Sequence, residues 1–504
     1  MNAATTTTTG SVPDTTAAQL DAVLAAAHGA APAFAASSPA ERAGWICAVA
    51  DALDAAADDL VPLAQEESRL PEPRLRGEVS RSSGQLRLFA EALEDGALLE
   101  LIIDTADPQA VPVPRPDLRR MLVPLGPVLV FAASNFPFAF SVCGGDTASA
   151  LAAGCPVVVK AHPGHPRLSE ATADVMAGAL RDAGAPDGTL GLVHGQQAGV
   201  DALRDPRVRA SGFTGSVPAG LALHEIAVNR PEPIPFYGEL GSLNPAFVLS
   251  SALEERASDI VKGFVGSYTL GVGQFCTKPG LLFLPAGHGL DEQLVSASQD
   301  VSEGTMLNGR IHEGYAHGLE ELRERDSVRD LVTGREDGQE ASPSLLRTTV
   351  PELLADADAL LQECFGPVSI VVEYADTEEL LQAAALFGGN LTATIQAADG
   401  DTAEAGRLLA VLQERAGRVV WNGWPTGVAV SWAMQHGGPF PATVGSIHTS
   451  VGTTAARRFQ RPVCFQDTPG GLLPEPLRDD NERGLSRRVN GEMTRSDVAS
   501  VKES

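Results

Sequence analysis

From Thr16 to about Asp95 the apolar residues recur at spacings of three and four, as in Ala17-Ala-Gln-Leu-Asp-Ala-Val-Leu24 and Ala48-Val-Ala-Asp-Ala-Leu-Asp54. That period predicts helices with one buried face. Prolines then interrupt the chain at Val111-Pro-Val-Pro-Arg-Pro-Asp117. The piece from Val111 to Val123 reads as edge strands or a hairpin. From Pro124 to Gly241 short apolar runs alternate with helical stretches. Strands are expected at 128–131, 156–160, 190–193 and 210–213, and helices at 146–153 and 167–183. A second alternating region covers 242–432, with helices at 252–267 and 377–386 and strands at 366–374 and 418–422. Strands alternating with helices imply an α/β fold with a parallel, doubly wound sheet and a nucleotide at the strand ends. The expected division is a disordered leader at 1–15, a cofactor-binding domain at 16–241 joined by 442–475, a catalytic domain at 242–441, and a mobile polar tail at 476–504.

Composition narrows the class. The 504 residues are 44% hydrophobic and 20% charged, which is ordinary for a globular protein of two or three domains. A formal charge of −27 speaks against a nucleic-acid binder. No apolar run is long enough for a membrane span, and the threonine-rich start lacks the features of a signal peptide. The six cysteines are scattered and form no paired motif. A metal site or disulfide framework is therefore not expected, and a reducing cytoplasm is.

The chemistry centres on Cys276. It lies in Gly271-Val-Gly-Gln-Phe-Cys276-Thr277, between a helical run and the apolar strand near Leu281. A thiol in a glycine-lined turn can be reached by a substrate, and its thiolate is a strong nucleophile. Cys143, Cys155 and Cys47 sit in small-residue or apolar contexts and read as core. Glu239, in Gly238-Glu-Leu-Gly241, reads as a general base if it shares a cleft with Cys276, and otherwise as a solvated loop carboxylate. Asn135 follows a strand; its amide reads either as an oxyanion donor or as an Asx-turn before Pro137. Lys160 ends an apolar strand, so its ammonium emerges at a site or simply at the surface. Gly215 and Ser216 follow a strand and open a helix, where backbone N–H groups can face phosphate.

In this order the segments resemble the aldehyde dehydrogenase superfamily. The resemblance rests on Ser134-Asn-Phe-Pro137, Val158-Val-Lys160, Phe213-Thr-Gly-Ser216, Glu239-Leu-Gly241, Gly273-Gln-Phe-Cys276, Glu363-Cys-Phe-Gly-Pro367 and Asn422. It implies a Rossmann-type cofactor domain, an α/β catalytic domain and a small oligomerisation β-segment. It also implies that Cys276 attacks an aldehyde, that Asn135 and the Cys276 N–H hold the oxyanion, and that Glu239 activates the water that cleaves a thioester. Lys160 would bind the adenine ribose, Ser216 the pyrophosphate and Glu363 the nicotinamide ribose. Phe365 would pack at the nicotinamide end, and Asn422 would support the active site.

Phe131-Ala-Ala-Ser-Asn-Phe-Pro-Phe-Ala-Phe140, Gly144 to Gly154, Lys160-Ala-His-Pro163 and His436-Gly-Gly-Pro-Phe-Pro441 resemble one branch, the α-ketoglutaric semialdehyde (2,5-dioxovalerate) dehydrogenases. Fatty aldehyde dehydrogenases are similar in these places. Many relatives that prefer NAD carry a glutamate three residues after the lysine; this chain has Pro163, and His162 adds a donor. NADP is therefore expected, with NAD possible. Substrate contacts are expected from Arg81, Gln85 and Phe138. Arg81 and Gln85, one helical turn apart, read either as an anchor for a carboxylate tail or as a surface or interdomain pair. A long-chain aldehyde oxidase, with Phe138 and Phe140 along an apolar tunnel, is the nearest alternative. A non-catalytic binding protein on the same scaffold is the alternative of another class. The resemblance also implies a homodimer or homotetramer, joined through 109–123 and 459–465.

Overall fold

The computed structural model describes residues 12–501. Most of the expected leader therefore lies outside the described residues. Thr15 does not stand apart: its N–H donates to the His194 carbonyl, and its hydroxyl accepts from the His194 N–H.

Four helices open the chain: Ala17–Ala36, Pro39–Ala55, Ala57–Ser68 and Glu72–Glu94. Thr16 with Gln19 and Ser38 with Glu41 form capping boxes that fix the first two starts. Pro39 at the first helical position adds a preset φ. The second and fourth helices pack together through Ile46, Leu53, Leu75, Leu86 and Phe89, all essentially buried.

The cofactor sheet has five parallel strands in the order Leu190–Val193, Val157–Lys160, Val128–Phe131, Ala210–Thr214, Phe236–Glu239. The strand order reverses at Val128–Phe131, so the crevice of a doubly wound sheet opens there. Asn135, Lys160, Gly215 and Glu239 all lie at the carboxyl ends of these strands. The second sheet has seven strands, with Leu281–Pro285 and Ala246–Val248 at its centre and Arg329–Val332 as an antiparallel edge. Its central strands read as continuous apolar runs because helices cover both faces. Cys276 enters just before Leu281–Pro285.

The third sheet corrects an expectation. Gln460–Gln466, Leu118–Pro124 and Leu101–Asp104 are joined by Arg487–Val489 and Glu492–Thr494, from the segment expected to be a mobile polar tail. Leu477, Leu485, Val489 and Val498 are buried against Leu101 and Ile103. Arg487 is fully buried and donates to the carbonyls of Arg478, Asp479, Asp480 and Ser496. A guanidinium whose two Nη groups are both met by carbonyls can sit in a core, so charge alone did not mark this segment as solvent-facing. Leu118–Pro124 and Gln460–Gln466, the segments expected to join subunits, pair with each other along their full length. Val111 and Val113 just before them are largely exposed.

Candidate active site

The helix Ser250–Tyr268 and the strand Leu281–Pro285 are joined by a loop that must turn sharply. Gly271, Val272 and Gly273 all have positive φ. A Cβ on Gly273 would run into the backbone carbonyl of Gly366, so only glycine fits there. Buried side chains then fix the turn. Gln274 donates to the Gly271 carbonyl at 3.1 Å and accepts from the Leu307 N–H at 3.0 Å. Lys278 donates to the carbonyls of Cys364 and Val368 at 2.8 and 2.7 Å. Asn244 donates to the carbonyls of Cys276 at 2.8 Å and Lys278 at 3.0 Å. Asn244 is itself held by Ser242, and Asn390 accepts from the Leu243 and Asn244 N–H groups. Ser242 stands where the family commonly has glycine. Its hydroxyl also accepts from the Leu391 N–H, so the serine is part of the frame.

This loop brings Cys276 to Glu239. Ligand atoms of Glu239, Cys276 and His436 lie within 4.8 Å of one another. His436 Nε2 is 3.6 Å from Cys276 Sγ and 3.0 Å from Glu239 Oε1. Ser450 donates a short hydrogen bond to the other Glu239 oxygen. Burial alone would raise the Glu239 pKa, but His436 and the Ser450 hydroxyl outweigh it and hold the carboxyl below its ordinary value. Burial, with the charges of Glu239 and Glu363, pushes the Cys276 thiol well above its ordinary value, while Arg81 pulls the other way. The resting pair is thus a neutral thiol beside an ionised carboxylate. Asn135 faces the same loop: its amide donates to the Gln274 carbonyl at 3.1 Å, and its carbonyl accepts from Arg74. The second N–H of that amide is left to serve an oxyanion.

His436 carried no assigned role in the sequence, although it stood in a segment that resembles the family. A signal was present in the glycines that follow it. A Cβ on Gly437 would meet the His448 carbonyl, and one on Gly438 the Asn390 carbonyl. Paired glycines after a histidine marked a backbone threaded tightly through the site. Asn244 was missed for a different reason: its partners lie 32 and 34 positions away. Asn422 instead binds Arg256 and the backbone of Ala397, at the end of the seven-stranded sheet.

The cofactor side is more open. Gly215 and Ser216 are exposed at the start of the helix Val217–Val228, and the Ser216 side chain caps no N–H of that helix. Gly215 has no room for a Cβ, which would strike the Phe213 ring. Lys160 is half-buried at the end of its strand, and burial lowers its pKa. His162 accepts from the Gly164 N–H; burial and then the His165 and Lys160 charges lower its pKa well below the ordinary value. Glu363 faces Gly241, and burial raises it to about 7. Phe365, two residues on, is half-buried. Gly215, Ser216, Lys160 and Glu363 thus offer exposed backbone N–H groups at a helix start, a cation and a carboxylate, a set whose chemistry fits a nicotinamide dinucleotide.

On the substrate side one expectation fails. Phe138 is fully buried in the core formed with the N-terminal helices, and its N–H donates to Glu78. Phe140, half-buried with its ring 6.2 Å from that of His436, is the phenylalanine that faces the site. The stretch 132–144 is a tight series of turns, where strand alternation does not tell inside from outside. The apolar tunnel suggested for a long-chain aldehyde loses one of its two walls.

Residues 1–448 match the sequence profile described as the aldehyde dehydrogenase family. The chain belongs to the aldehyde dehydrogenase family. Two curated relatives are similar over nearly their whole length. An α-ketoglutaric semialdehyde dehydrogenase of Acinetobacter baylyi is 42% identical, over 95% of this chain and 93% of its own. The α-ketoglutaric semialdehyde dehydrogenase 2 of Azospirillum brasilense is 45% identical, over 94% and 92%. Among solved structures, an aldehyde dehydrogenase of Physcomitrella patens in complex with succinate aligns with a TM-score of 0.77 at 21% identity, over 92% of this chain and 93% of that one. That likeness concerns the fold. This aldehyde dehydrogenase is an NAD(P)-dependent enzyme that oxidises an aldehyde. No helix among the described residues is long and apolar enough to cross a membrane.

Proposed function

We propose that this aldehyde dehydrogenase oxidises α-ketoglutaric semialdehyde (2,5-dioxopentanoate) to 2-oxoglutarate, with NADP as the preferred coenzyme and NAD as the second. The chemistry rests on one observation, the meeting of Cys276, His436 and Glu239 around a single point. The substrate is supported by the two relatives of that name, which align along almost the full chain. NADP is favoured by Pro163, which presents no carboxylate to repel a 2′-phosphate, and by Lys160 beside it.

Cys276 gives up its proton to the Glu239–His436 pair and attacks the aldehyde carbon. Glu239, held ionised and within reach of the thiol, takes that proton, and His436 stays beside both groups. The Asn135 amide and the Cys276 N–H donate to the developing oxyanion; one such donor is worth about 100- to 1,000-fold in rate. A nicotinamide held in the cradle would supply the acceptor for the hydride that the aldehyde carbon gives up as the thioester forms on Cys276. The proton taken from Cys276 leaves to solvent, and Glu239, again ionised, takes a proton from water, which attacks the thioester and releases the acid with the Cys276 thiolate as leaving group. Ser450 and His436 keep Glu239 ionised for that step. Lys160 and Ser216 would hold the adenosine ribose and the pyrophosphate, and Glu363 the nicotinamide ribose. His162 would contribute a further contact near the adenosine end, and Phe365 would pack beside the nicotinamide. The enzyme works in the cytoplasm as a homodimer or homotetramer, with the sheet that carries Leu118–Pro124 and the exposed Val111 and Val113 at its contacts.

The test compares kcat/KM for 2,5-dioxopentanoate, succinic semialdehyde, pentanal and dodecanal, each with NADP and NAD. The expected result is a preference for 2,5-dioxopentanoate over pentanal of at least about 100-fold, since a site built for polar groups rejects an analogue lacking them by up to about 10,000-fold or more. A higher value for dodecanal would reject the substrate assignment.

A further inference from the structure

The helix Glu72–Glu94 presents a row of polar side chains toward the catalytic trio. Arg74 is tied down: it pairs with Glu78 at 3.3 Å and donates to the Asn135 backbone carbonyl at 2.5 Å, although its Nη1 is buried without an acceptor. Glu78 is buried and also accepts from the N–H groups of Phe138 and Ala139. Arg87, further along, is held by Asp51 and Asp54 at 2.7 and 2.8 Å. Arg81 differs from both. Among the described residues it forms no salt bridge, and its Nε is buried without an acceptor. Its guanidinium lies over the rings of Phe140 at 5.5 Å and Phe136 at 5.9 Å. Cation–π contact steadies the group but leaves its in-plane donors free. Phe140 also borders His436, and the Arg81 charge is felt at Cys276.

One turn on, Gln85 is only 4% exposed, and its Nε2 has no acceptor. A buried amide donor without a partner is costly, so an acceptor from outside would be stabilised there. Arg81 and Gln85 line the same cleft, of about 400 Å³, together with Gly84, Leu88, Glu91 and Val430. That volume suits a small organic molecule. Arg81 thus belongs both to the cleft and to the surroundings of the nucleophile.

We propose that Arg81 and Gln85 form a subsite for the 2-oxo-carboxylate end of the substrate, with the Arg81 guanidinium on the carboxylate and Gln85 Nε2 on the keto oxygen. This rests on the substrate assignment above and gives it its recognising residues. The planar fork of a guanidinium matches a carboxylate, and the amide supplies the single donor a ketone can use. Arg74 is held by Glu78 and the Asn135 backbone and does not line the cleft, so it is not placed to substitute. The subsite selects a short aldehyde acid whose far end bears a 2-oxo acid, and it leaves a plain alkanal with two unpaired polar groups in its path.

The experiment measures kcat/KM for 2,5-dioxopentanoate and for pentanal in wild type, Arg81→Met, Arg81→Lys and Gln85→Leu. It also measures inhibition of pentanal oxidation by 2-oxoglutarate. The ratio of the two kcat/KM values is expected to fall about 100-fold in Arg81→Met and about tenfold in Arg81→Lys and Gln85→Leu. The loss should lie in KM for the acid, and 2-oxoglutarate inhibition should weaken in parallel. A ratio within about threefold of wild type in the Met and Lys variants, with inhibition intact, overturns the subsite. Should Arg81→Met fail to fold, the Lys and Leu variants decide the matter through the same ratio and the inhibition constant. A wild type that shows no preference for 2,5-dioxopentanoate overturns the substrate assignment instead. In that case 2-oxoglutarate inhibition lost on Arg81→Met still upholds a 2-oxo-acid subsite, and inhibition unchanged removes it as well.

Discussion

The loop that carries Cys276 leads into the seven-stranded sheet and the cradle that faces the coenzyme caps strands of the five-stranded sheet, and the two are built on opposite principles. The loop is over-determined: Gln274, Lys278 and Asn244 each bridge two backbone groups in its interior, and Ser242 and Asn390 hold Asn244 in turn. The cradle is exposed backbone at Gly215 and Ser216, with a serine hydroxyl that caps nothing. The difference follows the work each does. A nucleophile must meet its carbonyl within a fraction of an ångström, so its support is fixed in advance. A coenzyme must enter and leave with every turnover, so its site keeps donors free for it. Substitutions in the loop should therefore destroy rate, and substitutions in the cradle should shift affinity.

The largest effect comes from the nucleophile itself. Cys276→Ala should lower turnover at least about 10,000-fold, the scale seen when a covalent nucleophile is removed. Coenzyme binding, followed by fluorescence of the reduced nicotinamide, should change less than about threefold, because Cys276 is not part of the cradle. Retained turnover would end the covalent mechanism, and lost coenzyme binding would show that loop and cradle are one unit.

The frame comes next. Asn244 has φ of 49°, donates to the carbonyls of Ser242, Cys276 and Lys278, and accepts from Thr392. Asn244→Gly keeps the backbone free to adopt that angle and removes only the amide. These buried groups then lose their partner, which should cost about 3 kcal/mol in urea unfolding. kcat should drop about 100-fold as Cys276 loses its position, with little change in coenzyme KM. An equal loss in kcat and coenzyme affinity would mean that the frame serves both sites.

The contrast also explains what could be read in the chain. Cys276, Glu239 and Asn135 were legible because sharp turns at strand ends require glycine or proline beside them, and those residues mark the sites. The helix Thr377–Leu386 was legible to the residue, because Asp376 caps it and its apolar face is regular. His436 was not, since its partners are brought to it only by the fold, from 160 and 197 positions away. The tail failed for an electrostatic reason: Arg487 looks solvent-facing until the carbonyls that surround it are known. Phe138 and Phe140 could not be told apart, because no strand or helix period runs through that turn.

The smallest effect lies at the border of the two regions, on Glu363. Burial raises its pKa to about 7, against the pull of Lys278 and of the Ser242 N–H. At pH 6 most of the free enzyme carries Glu363 as the neutral acid, and at pH 8 most carries the carboxylate. Ribose hydroxyls donate hydrogen bonds, so the ionised form is the one that binds coenzyme well. Affinity should then rise with pH, and the KM for coenzyme should fall about tenfold between pH 6 and 8. The measurement belongs with NAD, which has no 2′-phosphate to titrate in the same range. His162 adds no slope there, because its pKa lies well below the ordinary value and the ring stays neutral throughout. Glu363→Gln should give a higher KM at pH 8 and a nearly flat profile, with kcat lowered only several-fold. A profile in the glutamine variant as steep as wild type would assign the titration to another group. It would also place Glu363 with the loop, as a charge that raises the Cys276 pKa, rather than with the cradle.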